Sequence, residues 1–428
     1  MTTQTIHVDY LARVEGEGAI KIKVKDNEIT DLELRIFEPP RFFQGFLVGR
    51  KYSEVPGIVS RICGICPASH QITAIQALED ALGVKVSRQT KDLRLLLALS
   101  QWIQSHTLHI YFLALPDFLG YESSISMARD HLPAVQRALK LKRLGNDLTA
   151  LIGGREVHPV TPTIGGFTRV PRREELQVIG ERLAEARADA LETLDLVASL
   201  NFPAFERNCE HIALTEENAY AVNGGRIISN CGLNIPIWHY RNHIKERQVP
   251  HSHALHSYVE DRGSFLVGPL ARVNLNWDKL NPRALKAVEG VRKMFPSFNP
   301  FHSIVARAVE VIHSIEVCLD LIERLDPQPE ELDYTVQAGE GFAATEAPRG
   351  LLYHSYRLDE EGVVKAADIV TPTAHNVANM EEDLRAFAPG VLDLPLEEAT
   401  LKCEMVIRNY DPCISCSVHF LRLEIERE

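Results

Sequence analysis

Apolar positions recur with helical spacing through the middle of the chain. Apolar residues three and four positions apart predict helices over residues 67–83, 88–118, 126–150, 172–200, 282–294 and 301–325. Pro171, followed by two arginines and two glutamates, is typical of a helix start with acidic residues in its first turn. The pattern therefore predicts a chain whose centre is mainly helical.

Alternating apolar and polar positions, the pattern of half-buried strands, lie mainly outside this centre. Residues 20–24 and 29–36 alternate around Asp26-Asn27, which predicts a β-hairpin within about residues 1–40. Similar patterns occur at 219–228, with a turn at 223–225, at 350–368, with a turn at 359–362, and at 420–425. We expect an α+β fold, mainly helical, with a central helix bundle and small peripheral β-sheets in a single domain over residues 1–428.

Composition and charge narrow the classes of protein to consider. The 58 acidic side chains outnumber the 46 lysines and arginines, and a net charge of −12 argues against nucleic-acid binding, because phosphates repel it. No apolar run approaches the ~20 residues of a membrane span, and the N-terminus lacks the features of a signal peptide.

The sequence offers no dinucleotide-binding motif, because Gly16-Glu17-Gly18 lacks the third glycine and the βαβ context of such a site. We expect a cytoplasmic protein whose eight cysteines are reduced.

Four of the cysteines form two CxxC motifs at opposite ends of the chain. Cys63 and Cys66 precede a predicted helix, and Cys413 and Cys416 follow Asp411-Pro412. Two intervening residues let both sulfurs of a pair bind one ion. Four thiolates are a soft donor set, suited to zinc, iron–sulfur or nickel. We therefore expect the two ends to meet in the core around a metal.

The spacing alone leaves two other functions open for these cysteines. One is a structural zinc site, although zinc ribbons usually join their pairs across a short loop and a chain this long does not need a metal to fold. A redox dithiol is the other alternative, but the βαβ context of thioredoxins is absent.

A histidine-rich segment gives a separate, weaker metal signal. It contains His251, His253 and His256, with His239 and His243 upstream. No carboxylate stands at helical spacing from them, so we interpret the segment as a structural or interface loop.

The strings around the two cysteine pairs resemble the paired motifs of nickel–iron hydrogenase large subunits. These are RxCGxC at residues 61–66 and DPCxxCxxH at 411–419. Weaker matches fall between them in the expected order, at residues 13–16, 105–111, 153–155, 158, 165–167, 346–350 and 371–373. Pro40-Arg41-Phe42-Phe43 and the C-terminal motif are most similar to the cytoplasmic, pyridine-nucleotide-linked group that includes the sulfhydrogenases.

The resemblance implies a role for each motif cysteine. Cys63 and Cys413 would be terminal nickel ligands, and Cys66 and Cys416 would bridge nickel to an iron that carries carbon monoxide and cyanide. The implied reaction is H2 ⇌ 2H+ + 2e−, with heterolytic cleavage. Cys413 would take the proton first, and Glu15 would accept it next. For Glu15 the alternative is an ordinary surface glutamate.

The resemblance also implies a surrounding pocket. Arg349 and Pro348 would line it, Thr373 would offer its hydroxyl to a cyanide, and Asp411 would pair with Arg349 or fix the loop. The alternatives are a salt bridge between Arg349 and Glu346 and a simple Asp-Pro turn.

Further neighbours of the metals follow from the same comparison. His70 and Ser105 would lie beside the pocket, although many relatives have Asp where this chain has Ser105. A second site for Mg2+ or Fe2+ would use His419 and Gln44, where many relatives have a glutamate instead of Gln44. Glutamine can still ligate through its carbonyl oxygen.

Partners follow from what the chain lacks. It has no ladder of iron–sulfur ligands, so the resemblance implies an iron–sulfur small subunit and a flavin (FAD) diaphorase subunit that uses NADP or NAD. The resemblance also implies nickel-insertion factors and a maturation endopeptidase that removes residues 420–428 after His419. The alternative is that these residues are not removed and form an edge strand.

The alternative functions for the chain are a hydrogen-sensing regulatory subunit, the quinone-site subunit of complex I, which lacks the full cysteine set, and a zinc-stabilised binding protein.

Overall fold

Helices dominate the centre of the chain in the computed structural model, which describes residues 3–26 and 28–418. The longer helices are α1 (Pro67–Leu82), α2 (Arg88–Leu108), α3 (Leu132–Gly153), α4 (Arg173–Ala198), α5 (Ser303–Arg324), α6 (Pro372–Phe387) and α7 (Leu396–Asn409). Short helices lie at Phe43–Leu47, Val55–Val59, Leu115–Leu119, Ser124–Met127, Tyr240–His243, Pro269–Asn276, Pro282–Val288 and Ile414–Ser417. Turns of 3-10 helix lie at Tyr52–Glu54, Ser60–Ile62, Ile237–His239, Trp277–Lys279, Glu289–Met294, Pro300–His302 and Ala388–Val391.

Strands form small sheets around the helices. They are β1 (Thr3–Val8), β2 (Gly18–Lys25), β3 (Glu28–Ile36), β4 (Pro162–Thr163), β5 (Gly166–Phe167), β6 (Glu210–Thr215), β7 (Arg226–Ser229), β8 (Asn234–Pro236), β9 (Ile244–Val249), β10 (Ser252–Val259), β11 (Phe265–Leu266), β12 (Gly339–Ala347), β13 (Gly350–Leu358) and β14 (Val364–Val370). The sheet orders are β1-β2-β3-β10-β9, β11-β6-β7-β8, β12-β13-β14 and β4-β5.

The helix bundle forms the core. Helix α2 packs against α3 and α5, and α5 packs against α4. In α5 the apolar residues Ile304, Val305, Ala308 and Ile312 are buried, as expected for a helix surrounded by protein. Helix α2 continues into a π-helical segment at His109–Ala114, a geometry that is frequent at functional sites.

The periodic patterns predicted most of these elements, and the mainly helical α+β class is confirmed. The predicted helices and the two hairpins at β2–β3 and β13–β14 are present. The prediction of strands on both sides of a turn at 223–225 was wrong for residues 219–222, which form no strand, whereas Arg226–Ser229 pairs in a sheet. Helices α6 and α7 carried no recognised pattern, and the alternating residues 420–425 lie outside the described part of the chain.

One sheet brings the two halves of the site together. Helix α1, which begins directly after Cys66, lies on β12 and β13, and the turn between these strands carries Arg349. The approach is so close that a Cβ on Gly341 would lie 2.1 Å from the carbonyl oxygen of Ala77 in α1. Glycine is therefore required at this position.

None of the helices in residues 3–26 and 28–418 has the length and apolar character needed to cross a membrane.

Candidate metal centre

The two cysteine pairs meet in one buried pocket. The sulfurs of Cys63, Cys66, Cys413 and Cys416 all lie within 4.8 Å of one another. Each side chain is at most 4% exposed. Cys63 Sγ lies 3.5 Å from Cys413 Sγ, although 350 residues separate the two in the sequence. The ends of the chain therefore come together as the spacing of the motifs predicted.

The N-terminal pair is arranged by the start of α1. The backbone N–H groups of Ile65 and Cys66 donate to Cys63 Sγ, at 3.2 and 3.0 Å. Cys66 is the N-cap residue of α1, and Pro67 occupies the first turn, where its missing N–H costs nothing. Amide donors and a helix N-terminus both favour a thiolate.

The buried cysteine thiolates need a positive charge beside them. Burial opposes ionisation of Cys63, but hydrogen bonds with the other thiols and the charge of Arg349 outweigh it and hold its pKa well below the ordinary value. Burial raises the pKa values of Cys413 and Cys416 well above the ordinary value. Four thiolates can therefore coexist here only if a metal centre neutralises them.

Glu15 lies against this sulfur cluster. One of its carboxylate oxygens is 3.1 Å from Cys413 Sγ and accepts the N–H of Ser415 at 3.1 Å. The Glu15 carbonyl also accepts the N–H of Ile414 at 2.9 Å. Gly16 next to it has φ +89°, and a Cβ there would lie 2.7 Å from Ile414 Cβ, so only glycine lets the two segments pair.

The loop that carries Glu15 is fixed to the bundle by Asp117. Arg13 forms an ion pair with Asp117 and donates to the carbonyl of Leu113 at 2.9 Å, in the π-helical segment. Arg408 of α7 donates to the same carboxylate at 2.7 Å. The N-terminal loop, the bundle and α7 therefore share one buried carboxylate.

Arg349 pairs with Asp411 rather than with Glu346. Its Nε donates to the Asp411 carbonyl at 2.7 Å, and one Nη donates to the Asp411 carboxylate at 2.9 Å. Burial opposes the charge, but Asp411 and the nearby sulfurs outweigh it and raise the pKa of Arg349 well above its ordinary value. The other Nη is buried and has no hydrogen-bond partner in the described structure, so it offers a donor to a group bound beside the sulfurs.

A buried arginine that the sequence did not reveal holds this turn in place. Arg272 donates to both carboxylate oxygens of Glu310, to Glu346, and to the carbonyl oxygens of Ala347 and Pro348, over distances of 2.6 to 3.0 Å. The charged residues of α5 within an otherwise apolar helix were the one sequence signal that could have found such a network.

Of the remaining predicted site residues, Thr373 contacts Cys413, whereas His70 and Gln44 contact residues outside the sulfur cluster. Thr373, at the start of α6, accepts the Cys413 N–H at 2.8 Å. His70 is buried in α1 with its Nδ1 3.3 Å from His354 Nε2. Ser105 is buried in α2, and its hydroxyl has no partner within residues 3–26 and 28–418. Gln44 donates to the Ile369 carbonyl at 3.0 Å, and His419 lies outside the described residues.

Comparison with known proteins identifies the family. A family model for nickel-dependent hydrogenase matches residues 41–132 and 254–419. The chain is 37% identical over 426 residues to the alpha subunit of sulfhydrogenase 1 from Pyrococcus furiosus, covering 98% of both chains. The alpha subunit of sulfhydrogenase 2 from the same organism is 35% identical over 422 residues, covering 98% of this chain and 100% of that one. The chain belongs to the nickel-dependent hydrogenase family.

A solved structure supports the same assignment. An NAD+-reducing NiFe-hydrogenase in its H2-reduced state superposes with a TM-score of 0.85 at 25% identity, over 97% of this chain and 99% of that one. The chain is thus the catalytic large subunit of a nickel–iron hydrogenase, and it is an oxidoreductase. Its relatives are subunits of multi-subunit hydrogenases, which implies a small-subunit partner.

Family membership excludes three of the alternative functions that the sequence had left open for this chain. The donor set fits the family's metals, because four soft thiolates suit nickel and the unpaired Arg349 donor suits an acceptor bound beside them. The quinone-site subunit of complex I, a redox dithiol and a structural zinc protein are all set aside.

Proposed function

We propose that this chain catalyses H2 ⇌ 2H+ + 2e− at a nickel–iron centre held by its four motif cysteines. Cys63 and Cys413 would hold the nickel, and Cys66 and Cys416 would hold both the nickel and the iron. When bound, such a centre, with carbon monoxide and cyanide on its iron, would supply the electron-rich site at which dihydrogen is split heterolytically. The observation that carries the proposal is the Glu15 carboxylate 3.1 Å from a sulfur of the four-cysteine cluster.

Cys413 and Glu15 would carry the proton away from the metal centre. Cys413 receives the proton on its thiolate, and Glu15 accepts it from Sγ across a direct contact. Because Glu15 is only partly buried, it can release that proton toward the surface.

Arg349 and Thr373 would bind the diatomic ligands. The Arg349 guanidinium is permanently charged, so it can orient a cyanide or polarise dihydrogen without titrating. Asp411 holds it in place, and Pro348 is fixed next to it by Arg272. Thr373 already accepts the Cys413 N–H, which leaves its own O–H to donate to a cyanide.

Electrons would leave through partner subunits. We propose an iron–sulfur small subunit and a flavin subunit that reduces NADP or NAD, since one structural relative is NAD+-reducing and two sequence relatives are sulfhydrogenase subunits. Nickel-insertion factors, an endopeptidase that removes residues 420–428, and a Mg2+ or Fe2+ site at Gln44 and His419 stay predictions. So does a cytoplasmic location.

Hydrogen turnover by the purified complex tests this function. We expect H2-dependent reduction of an artificial dye at a rate typical of enzymes, about 10 per second or more, together with reduction of NADP or NAD. If the complex reduces the dye but neither NADP nor NAD, the proposed coupling to a pyridine nucleotide is rejected, while the hydrogenase activity stands. Turnover near zero in a complex that holds nickel and iron would indicate a hydrogen sensor instead.

A further inference from the structure

A second group of metal-ligand side chains lies where the β9–β10 hairpin packs against α6. His251 lies in the turn of the hairpin, His256 lies in β10, and Glu381 comes from α6. One ligand atom from each of the three lies within 4.8 Å of the other two. The histidine pattern alone predicted a structural or interface loop because it offered no carboxylate. The fold supplies one from 130 residues further along the chain.

The turn of the hairpin and an irregularity at the start of β10 place the two histidines close together. His251 precedes the first residue of β10, so the alternation of side chains along the strand does not fix its direction. The pairing of β10 with β9 shifts register between Ser252 and His256, and such a bulge re-aims the side chains around it. The rings of His251 and His256 consequently lie 5.9 Å apart, centre to centre.

Hydrogen bonds occupy one carboxylate oxygen of Glu381 and leave its other oxygen available to a metal ion. Glu381 Oε1 is 2.6 Å from His251 Nε2 and accepts the N–H of Leu34 at 2.9 Å. Glu381 Oε2 lies 4.0 Å from His256 Nδ1, which is too far for a hydrogen bond. Two donors about 2.1 Å from a tetrahedral ion lie about 3.4 Å apart, so a small side-chain movement would close this distance around a metal.

His256 is poorly explained as an ordinary core residue. It is 1% exposed, and its Nε2 has no hydrogen-bond partner among the residues that the structure describes. Burial lowers its pKa to about 3, so the ring is neutral, which is the form that binds metal ions. The ring nitrogen nearest Glu381 is Nδ1, 4.0 Å from Oε2, so Nδ1 is the ligand atom in this arrangement, and Nε2 leaves the ring without a hydrogen bond that would hold it elsewhere.

We propose that His251, His256 and Glu381 bind one divalent transition-metal ion of the zinc type. Two imidazoles and one carboxylate suit zinc, cobalt or iron better than magnesium or calcium. His251 and Glu381 are partly exposed, so water can complete the coordination. The positive charges of Arg247 and Arg385 act on this group and weaken cation binding. The ion would link the hairpin to α6, the helix whose first turn holds Thr373 beside Cys413.

Metal binding to the purified, chelator-washed complex tests this site independently of hydrogenase activity. We expect Zn2+ to bind at one site more per chain in the wild type than in His251→Gln and Glu381→Gln, and to raise the unfolding temperature only where it binds. The matched control is His253→Gln, because His253 lies in β10 near the site, is exposed, and has its Nδ1 3.1 Å from the Glu38 backbone carbonyl oxygen. This variant should bind zinc as the wild type does.

A cobalt titration of the wild type protects the test against variants that fail to fold. Co2+ bound by nitrogen and oxygen donors should give visible absorption bands that added Zn2+ removes. Equal zinc content in the wild type and all three variants would overturn the proposal. So would a wild type that shows no cobalt bands.

Discussion

Glu15 is joined to Cys413 both by its side chain and by its backbone. Its carboxylate lies 3.1 Å from Cys413 Sγ, and its carbonyl accepts the N–H of the next residue, Ile414, at 2.9 Å. These residues are 398 positions apart in the sequence. The Glu15 carboxylate therefore reaches the Cys413 sulfur only when the first and last parts of the chain have paired.

Replacing Glu15 by Gln should separate metal binding from proton transfer. The amide keeps the size of the side chain and can still accept the Ser415 N–H, but it cannot take up a proton. We expect H2-dependent dye reduction to fall by about 100-fold or more, while the nickel content stays unchanged. Glu17→Gln, two residues away in the same loop, should keep its activity. An E15Q enzyme within twofold of the wild type would show that protons leave by another route.

Arg349→Lys should test the geometry of the arginine rather than its charge. Lysine keeps the positive charge but cannot contact the Asp411 carbonyl and carboxylate together while offering a further donor. We expect turnover to fall by about 10-fold or more with nickel retained. Asp411→Asn should lower turnover as well, and the double variant should lose less than the product of the two effects. Independent, multiplicative losses would mean that the pair does not act as a unit.

Buried neutral histidines should make stability fall in acid. Burial lowers the pKa of His313 to about 4, and its Nδ1 accepts the N–H of Asn281 at 3.0 Å, which only the neutral ring can do. Below pH 6.5 the unfolded chain binds a proton that the folded chain does not, so stability decreases from pH 6.5 down to about 4. The loss from this one group is about 2 kcal/mol at pH 5.

His313→Asn supplies the comparison for that loss. Asn can accept the same N–H but does not titrate, so the variant should lose less stability than the wild type between pH 7 and pH 5. Unfolding midpoints at the two pH values measure this. The exposed His253→Asn variant should lose as much as the wild type. Identical pH dependence in all three proteins would contradict the assignment to His313.

Gly341→Ala should destabilise the contact between α1 and β12. The new methyl group would lie 2.1 Å from the Ala77 carbonyl oxygen and 2.2 Å from the Ala81 nitrogen, and both are backbone atoms that cannot rotate away. We expect a loss of about 3 kcal/mol or more, seen as a lower unfolding temperature. Gly57→Ala, in a short helix with open space around the position, should be neutral or slightly stabilising. Equal effects of the two changes would argue against close packing at Gly341.

The fold could be predicted where one face of an element is apolar. Helix α5 and the β2–β3 hairpin have such faces, and their periodicity located them. Helix α6 does not, because it buries Thr373, His375, Asn376 and Asn379 among protein groups on several sides. Its polar side chains hide the helical period, so no pattern marked it.

The site could be predicted where a motif is local. The four cysteines, Glu15 and Arg349 lie in short recognisable strings. Arg272, which fixes the Arg349 turn, and Asp117, which anchors the Glu15 loop, act through partners far away in the sequence. Only the folded chain brings such residues together, and no local string marks them.

Metal analysis combined with infrared spectroscopy of the purified complex tests the central claim most directly. We predict nickel in the wild-type chain, iron that carries carbonyl and cyanide bands, and loss of both in Cys63→Ser. Cys403→Ser, a change to a buried cysteine outside the cluster, should keep them. Zinc alone between the four sulfurs, or nickel that persists in C63S, would contradict the account.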